Sequence, residues 1–414
     1  MTALNHRIAH ATVTVTAERA PLVHQRVVVA QRSHAFRFGN IGFELIEFAN
    51  GELSGTAVEH AQRLTEHWFG VFNFATLPFY WDRFEPVPGQ PDTRRLRQAA
   101  SWFTERGASV KGHPLAWHTL APAWLLELDN AQIAKAQVKR ITRDVSDFAG
   151  LIDVWDAINE VVIMPVFDKY DNGPTRVCRE IGRVPMVRMV FDAARAANPR
   201  ATLLLNDFDM SVAYESLIEG VLEADIAVDA LGLQSHMHQG YWGEEKTLAT
   251  LDRFARYGLP IHFTETTLVS GHLMPPEIVD LNDYQIPHWA STPEGEARQA
   301  DEMVRHYRTL VGHPSVEAIT YWGLADGARA WLGAPVGFLR ADGTPKPSYE
   351  ALHALVKGEW WLPPTTLVTD GSGQVRFTGF LGEYELSAAG RGATVTLDAP
   401  GEYALDVALE PSDR

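Results

Sequence analysis

The chain holds a single cysteine, Cys178, among 414 residues. No intramolecular disulfide framework can form, and Cys178, in DNGPTRVCRE without a partner motif, reads as incidental. Basic residues are also short, with 36 Lys and Arg against 52 Asp and Glu, a formal charge of −16. Gripping a phosphate backbone needs a basic patch, so the balance speaks against a nucleic-acid partner. It fits a neutral small molecule or sugar, or serves solubility alone. No window approaches the roughly 20 apolar residues of a membrane helix, so no membrane partner is expected. The opening MTALNHRIAHATVTV lacks the apolar core of a signal peptide, which makes a cytoplasmic location the expectation. A G-x-G-x-x-G after the first strand is missing too, against a doubly wound dinucleotide-binding sheet. Neither a cofactor nor a metal is expected, and oligomeric state is not readable.

What is present is a change of pattern along the chain. Residues 11–35 alternate valine and threonine with polar residues, as in ATVTVTA and QRVVVAQRS. VRFTGF, EYELSAA, ATVTLDA and EYALDVAL, from 365 to the end, read the same way between turns such as DGSG and AGRG. Period-two alternation is the mark of half-buried strands. Neither end alone buries much, so segments 1–35 and 365–414 are expected to join as one small accessory β-sandwich. The proline pair at 363–364 marks its boundary with the segment 36–360.

Within 36–360, short apolar runs alternate with helical stretches. The runs are FRFGNIGF, VFNFATLP, SVKGHPLAWH, LIDVWDAINE, ATLLLNDF, VDALGLQSH, LPIHFTET and EAITYWGL. Helices are expected near 57–70, 92–107, 129–149, 184–198, 211–224, 246–257, 294–311 and 346–357. Continuous apolar runs suit parallel strands covered by helices. Eight such units predict an α/β fold of (β/α)8, or TIM-barrel, type.

The ends of these runs carry the chemistry. Asn159 with Glu160, Trp117 with His118, Asn206 with Asp207, Gln234 with His236, Glu265, and Trp322 finish six of the eight runs. In such barrels catalytic groups sit at the C-terminal strand ends. Two carboxylates flanking a bond are the tools of glycoside hydrolysis, one giving a proton to the leaving oxygen and the other attacking carbon or activating water. Either Glu alone reads as a surface residue at a loop start; the pair, framed by aromatics, reads as catalytic. Two other classes stay open: a metal-dependent hydrolase drawing on His113, His118, His236 and His238, and a non-catalytic sugar-binding barrel.

KGHPLAWH, WDAINE, LLLNDFD, LGLQSH, HFTET and YWGLAD, in that order and spacing, resemble glycoside hydrolase family 10, the xylanase-like barrels, over about residues 36–357. The resemblance implies a retaining O-glycoside hydrolase, with Glu160 as acid/base and Glu265 as nucleophile, their carboxyls roughly 5–5.5 Å apart. It implies that Asn159 binds the sugar 2-hydroxyl and that His236 donates to the nucleophile. It also implies that Gln234 stands beside Glu265, and that His113, Trp117, Trp322 and Trp331 build the subsite before the scissile bond. Trp155 reads instead as core.

Two departures bear on substrate. The resemblance calls for a Glu-Asn pair and a Lys ahead of Trp81-Asp82, gripping xylose on the glycone side. Leu77, Pro78, Phe79 and Tyr80 stand there instead, with Tyr80 the candidate wall. An Asp two residues beyond the nucleophile is replaced by Thr267. Buried sugar hydroxyls without partners cost roughly 1–3 kcal/mol each, so a small glycoside or oligosaccharide is expected rather than polymeric xylan. True endo-1,4-β-xylanase action and transglycosylation through the same intermediate are the alternatives. The stretch 268–293 is long for a loop and reads as a lid or aglycone wall, or as a tolerated insertion. The sandwich, with scattered aromatics, reads as packing against the barrel.

Overall fold

The computed structural model describes residues 4–327 and 330–411. Eight parallel strands close into a barrel: Arg37–Ile41, Phe74–Pro78, Ser109–His113, Val154–Asn159, Thr202–Asp207, Ala230–Met237, Ile261–Leu268 and Val316–Tyr321. They are called strands one to eight below. Each pairs with its sequence neighbour, and strand eight closes on strand one through Ala318 against Arg37 and Ile319 against Phe38. Inward side chains fill the barrel near its N-terminal end, where Phe74, Val154, Leu204, Ala230 and Ala318 form one packed layer.

The covering helices follow the expected plan: Thr56–Val71, Thr93–Thr104, Asn130–Asp147, Arg183–Ala197, Val212–Glu223, Gly243–Ala255, Pro293–Val311 and Pro347–Ala354. Local sequence sets their starts. Asp129 and Gln132 form a reciprocal capping box at the third helix, and Thr292 caps Pro293–Val311 with proline in its first turn. A further helix, Gly173–Ile181, capped by Asn172, follows strand four and buries Cys178. Among the described residues no helix is long and apolar enough to cross a membrane.

The terminal segments build two facing sheets, one N-terminal strand going to each. Ile8–Ala17 lies between Gln374–Phe380, antiparallel, and Gly401–Ala408, parallel. Arg26–Gln31 lies between Thr365–Val368 and Gly382–Ala388, antiparallel to both. The alternation read from the sequence is the packing: Ala9, Ala11, Val13 and Val15 all face the core shared with Val27, Val29, Phe377, Tyr384 and Leu386. This sandwich sits at the N-terminal end of the barrel. Arg7 donates there to the carbonyls of Val311, His313 and Val316, and its guanidinium lies over Phe36.

Candidate active site

Strands four and seven deliver the two glutamates, and both are irregular where they do so. The pairing register shifts between Asp156 and Ile158 on strand four, and between Phe263 and Glu265 on strand seven. Such bulges re-aim side chains and are common beside active sites. Glu160 itself has a φ of 57°, a left-handed conformation that costs a non-glycine residue about 1 kcal/mol or more. This answers why an amide and a carboxyl finish one apolar run: the bulge and the left-handed turn let both reach the mouth.

Amides stitch the two carboxyls together. Glu160 Oε1 accepts from Asn159 Nδ2 at 3.1 Å and from Gln234 Nε2 at 3.2 Å, and its Oε2 accepts from Trp117 Nε1 at 2.8 Å. Asn206 donates to Asn159 Oδ1 at 2.6 Å and to Glu265 Oε1 at 3.2 Å. The Asn206 amide is held by Thr264, whose hydroxyl donates to Asn206 Oδ1 at 2.5 Å. Gly232 on strand six makes the room: a Cβ there would sit 2.4 Å from Asn206 Oδ1.

The carboxyls are pushed in opposite directions. Burial, then the charge of Glu265, raises Glu160 to about 8, against the opposing bonds from Trp117 and Gln234. Burial pushes Glu265 upward too, but His113 and then His236 outweigh it and hold that carboxyl below its ordinary value. His236 Nε2 lies 3.2 Å from Glu265 Oε2, and His113 Nε2 3.9 Å from Oε1.

Behind His113 lies a pair that sequence reading missed. Asp156 Oδ2 stands 2.7 Å from both His113 Nδ1 and Lys111 Nζ, all three buried. Burial would raise Asp156, but Lys111 and His113 outweigh it and keep the carboxyl low. Asp156 thereby fixes the His113 ring with Nε2 toward Glu265. Lys111 and Asp156 sit inside apolar runs, where a residue's facing cannot be read until the barrel closes. Asp156 does stand alone as a charge in VWDAIN, the strand itself, a signal that could have found it.

The other expected residues are placed as follows. Trp322 meets His113 edge-on at 5.0 Å and Phe43 at 5.6 Å. Trp331 lies 4.7 Å from His236 and 5.0 Å from His238. Tyr80 is edge-on to His113 at 5.7 Å and 5.8 Å from Trp117. Thr267, where an Asp was expected, stands 3.4 Å from both His236 Nδ1 and His238 Nδ1. His118 packs against Phe167 at 4.5 Å, and burial lowers it to about 4. Asp207 accepts from the Val162 backbone at 3.0 Å, and burial raises it to about 7. Trp155 is core, against Phe79 and Phe148. The four histidines weighed as metal ligands disperse among these partners. Among the described residues no three His, Cys, Asp or Glu side chains are grouped to hold a metal ion.

One expectation is corrected. Leu77 and Phe79 do not line a glycone pocket; both are fully buried in the core outside the barrel wall. Alternation along strand two turns them outward and leaves Tyr80 to face the site. Trp81 is core as well, bonded to Glu85 at 3.0 Å and packed on Trp124.

The model of glycosyl hydrolase family 10 matches residues 49–355, about three quarters of the chain. The chain belongs to glycosyl hydrolase family 10. It is therefore a glycoside hydrolase acting on O-glycosyl bonds. Among family relatives, endo-1,4-beta-xylanase B of Thermotoga neapolitana is 25% identical over 297 residues, covering 67% of this chain and 78% of that protein. The anti-sigma-I factor RsgI6 of Acetivibrio thermocellus is 25% identical over 404 residues, covering 90% of this chain and 47% of that protein. Xylanase 10B of Thermotoga petrophila RKU-1, solved in complex with xylobiose, superposes with a TM-score of 0.64 at 21% identity. That match spans 78% of this chain and 95% of the other; at that identity the likeness speaks to the barrel fold.

Proposed function

We propose that this family 10 enzyme cleaves a β-glycosidic bond with retention, by double displacement, on a small glycoside or oligosaccharide. Glu160 is the acid/base. With its proton affinity raised to about 8, it arrives protonated at neutral pH and gives that proton to the leaving oxygen. Glu265 is the nucleophile. Held ionised by His113 and His236, it attacks the anomeric carbon and forms the glycosyl-enzyme. Water, deprotonated by Glu160, then releases the sugar. Asn159, bonded to Glu160 and linked to Glu265 through Asn206, binds the 2-hydroxyl. Gln234 and His236 hold the two glutamates, and His113, Trp117, Tyr80, Trp322 and Trp331 wall the sugar.

The observation that carries the reading is the opposite push on two carboxyls joined by one amide network. Two carboxyls that titrate apart divide into an acid and a base. The test is aglycone release from aryl β-xyloside, xylobioside, glucoside and arabinoside, with the anomer of the first product read by NMR. Retained configuration and loss of turnover in Glu265→Ala are expected. An inverted product, or turnover surviving in that variant, overturns the assignment. Endo-1,4-β-xylanase action is the second reading, favoured by the names of relatives such as the Thermotoga neapolitana protein. Transfer to an acceptor other than water uses the same intermediate, and added alcohols would reveal it as glycoside products.

A further inference from the structure

Endo cleavage requires a polymer to pass on both sides of the catalytic pair, so the cleft must be open at two ends. The rim around Glu160 and Glu265 is instead a closed circuit. On one side Trp322 meets Phe43 at 5.6 Å, Phe43 meets Tyr80 at 6.1 Å, and Tyr80 meets Trp117 at 5.8 Å. His118, next in the chain, packs on Phe167 at 4.5 Å, and Phe167 on Tyr170 at 4.9 Å. Lys169, in the same loop after strand four, reaches Asp280 at 2.5 Å and Asp283 at 2.9 Å in the loop after strand seven. Asn282, between those aspartates, accepts from Trp331 Nε1 at 3.1 Å. Trp331 lies on His236, 4.7 Å away, and His236 lies 6.5 Å from Trp322.

The Lys169 link is the unusual one. Strands five and six lie between four and seven in the barrel, so a contact between the loops of four and seven must run past the ends of both. Asp280 is its keystone. One oxygen takes Lys169, while the other accepts from the Asn282 backbone at 2.8 Å and its side-chain amide at 3.0 Å. That turns the Asn282 oxygen toward Trp331. The strap is anchored below by a small apolar cluster of Val269, Met274, Trp289, Ala334 and Val336, against which Tyr284 and Leu332 pack. Trp289 is pinned to the His272 carbonyl at 2.8 Å.

We infer that the Lys169–Asp280/Asp283 strap closes the aglycone side of the cleft, so that the site is a pit taking a terminal sugar with a compact aglycone, and that Lys169 is a residue setting this specificity. The inference rests on the retaining-glycosidase reading above. Exposed ion pairs are weak and screened by salt, so the strap is a restriction that charge reversal removes without harming the fold.

The probes are the aryl glycoside that the enzyme turns over fastest and soluble arabinoxylan. For the unaltered enzyme, kcat/KM per bond on arabinoxylan is expected to be at least about 100-fold below that on the aryl glycoside, with solution viscosity unchanged. Lys169→Glu, which faces two carboxylates with a third, is expected to raise the polymer-to-aryl ratio at least about 10-fold. It should change kcat/KM on the aryl glycoside by no more than about 3-fold. Combining Lys169→Glu with Asp280→Lys and Asp283→Lys is expected to restore the low ratio. A fall in arabinoxylan viscosity with the unaltered enzyme overturns the inference, as does an unchanged ratio in Lys169→Glu. Glu265→Ala separates the two levels. If it abolishes aryl turnover while the ratio test fails, only the strap is wrong; if aryl turnover survives, the glycosidase assignment itself fails.

Discussion

The two ends of the barrel are built on different rules. At the N-terminal end, Arg7 satisfies three backbone carbonyls, and His34 bonds the Val356 carbonyl at 2.9 Å. A cavity of about 210 Å³ lies there, lined by Arg7, Phe36, Arg37, Phe38, Glu317 and Trp360 among others. At the C-terminal end, Glu160 is held in a left-handed conformation, two strands are out of register, and neighbouring carboxyls are driven apart in proton affinity. The comparison teaches that a hole is a poor sign of a site. Two adjacent carboxyls shifted in opposite directions, carried on bulged strands, are the better sign, because such an arrangement persists only where something else repays it.

Crossed substitutions break this comparison if it is wrong. Glu265→Ala at the mouth is expected to lower kcat roughly 10⁴–10⁶-fold, the scale of losing a catalytic group, with the melting temperature unchanged or raised. Arg7→Ala at the base is expected to do the reverse. It removes one donor from each of the Val311, His313 and Val316 carbonyls, of which Val311 keeps His6 and His313 keeps the Val316 N–H, at about 1–3 kcal/mol for each that is left unsatisfied, while kcat/KM stays within about 3-fold. Aryl glycoside kinetics and thermal unfolding on both variants check the pair. A melting point unmoved by Arg7→Ala would remove the structural half of the contrast.

Asp156→Asn belongs to both ends and is expected to damage both properties. Lys111 loses its counter-ion in a buried setting, where removing one partner of a pair costs about 3–5 kcal/mol. His113 loses the carboxylate that fixes its ring, and partners of this kind are worth about 10–100-fold in activity at comparable sites. Full kinetics beside an unfolding curve would show whether the two losses travel together.

The pH profile sharpens the contrast more gently. Glu160 must be protonated to act, and its raised value of about 8 places the alkaline limb of kcat/KM near that pH. Glu265 must be ionised, and its lowered value places the acid limb below the ordinary carboxylate range. Stability follows with a definite sign. A carboxyl whose folded value lies above its unfolded value of about 4.3 binds more protons when folded. Glu160 therefore weakens the fold progressively as pH rises from about 4 toward 8. Glu160→Gln is expected to raise the melting temperature at pH 8 and leave it nearly unchanged at pH 4.

How much of this was legible follows from where each residue lies. The eight strands and helices were readable because apolar runs and amphipathic stretches alternate, and the alternation of ATVTVTA with its C-terminal partners announced a sandwich. Glu160, Asn159, Gln234, His236 and Glu265 were readable because polar groups at the ends of buried runs stand out. Lys111 was not, since its charge falls mid-strand and its facing depends on barrel closure. Leu77 and Phe79 were misplaced because a gap in a motif shows which residues fill it, not which way they point. The strap was invisible for a plainer reason: Lys169 and Asp280 are 111 positions apart, and each reads as an ordinary surface charge.

Cys178 offers the smallest expected effect. It lies buried on the helix Gly173–Ile181 behind strand four, and burial pushes its thiol up to about 12. The thiolate is the reactive form, so at neutral pH both access and ionisation are withheld. A disulfide reagent added to the folded enzyme is expected to leave Cys178 unmodified and turnover unchanged, and denaturant should release one reactive thiol per chain. If the native thiol reacted at a rate comparable to the denatured one, the helix would be opening far more often than its packing allows. The loop carrying Phe167 and Lys169, which runs directly into it, would then be too mobile to hold the strap, and the closed rim of the mouth would have to be reconsidered from that side.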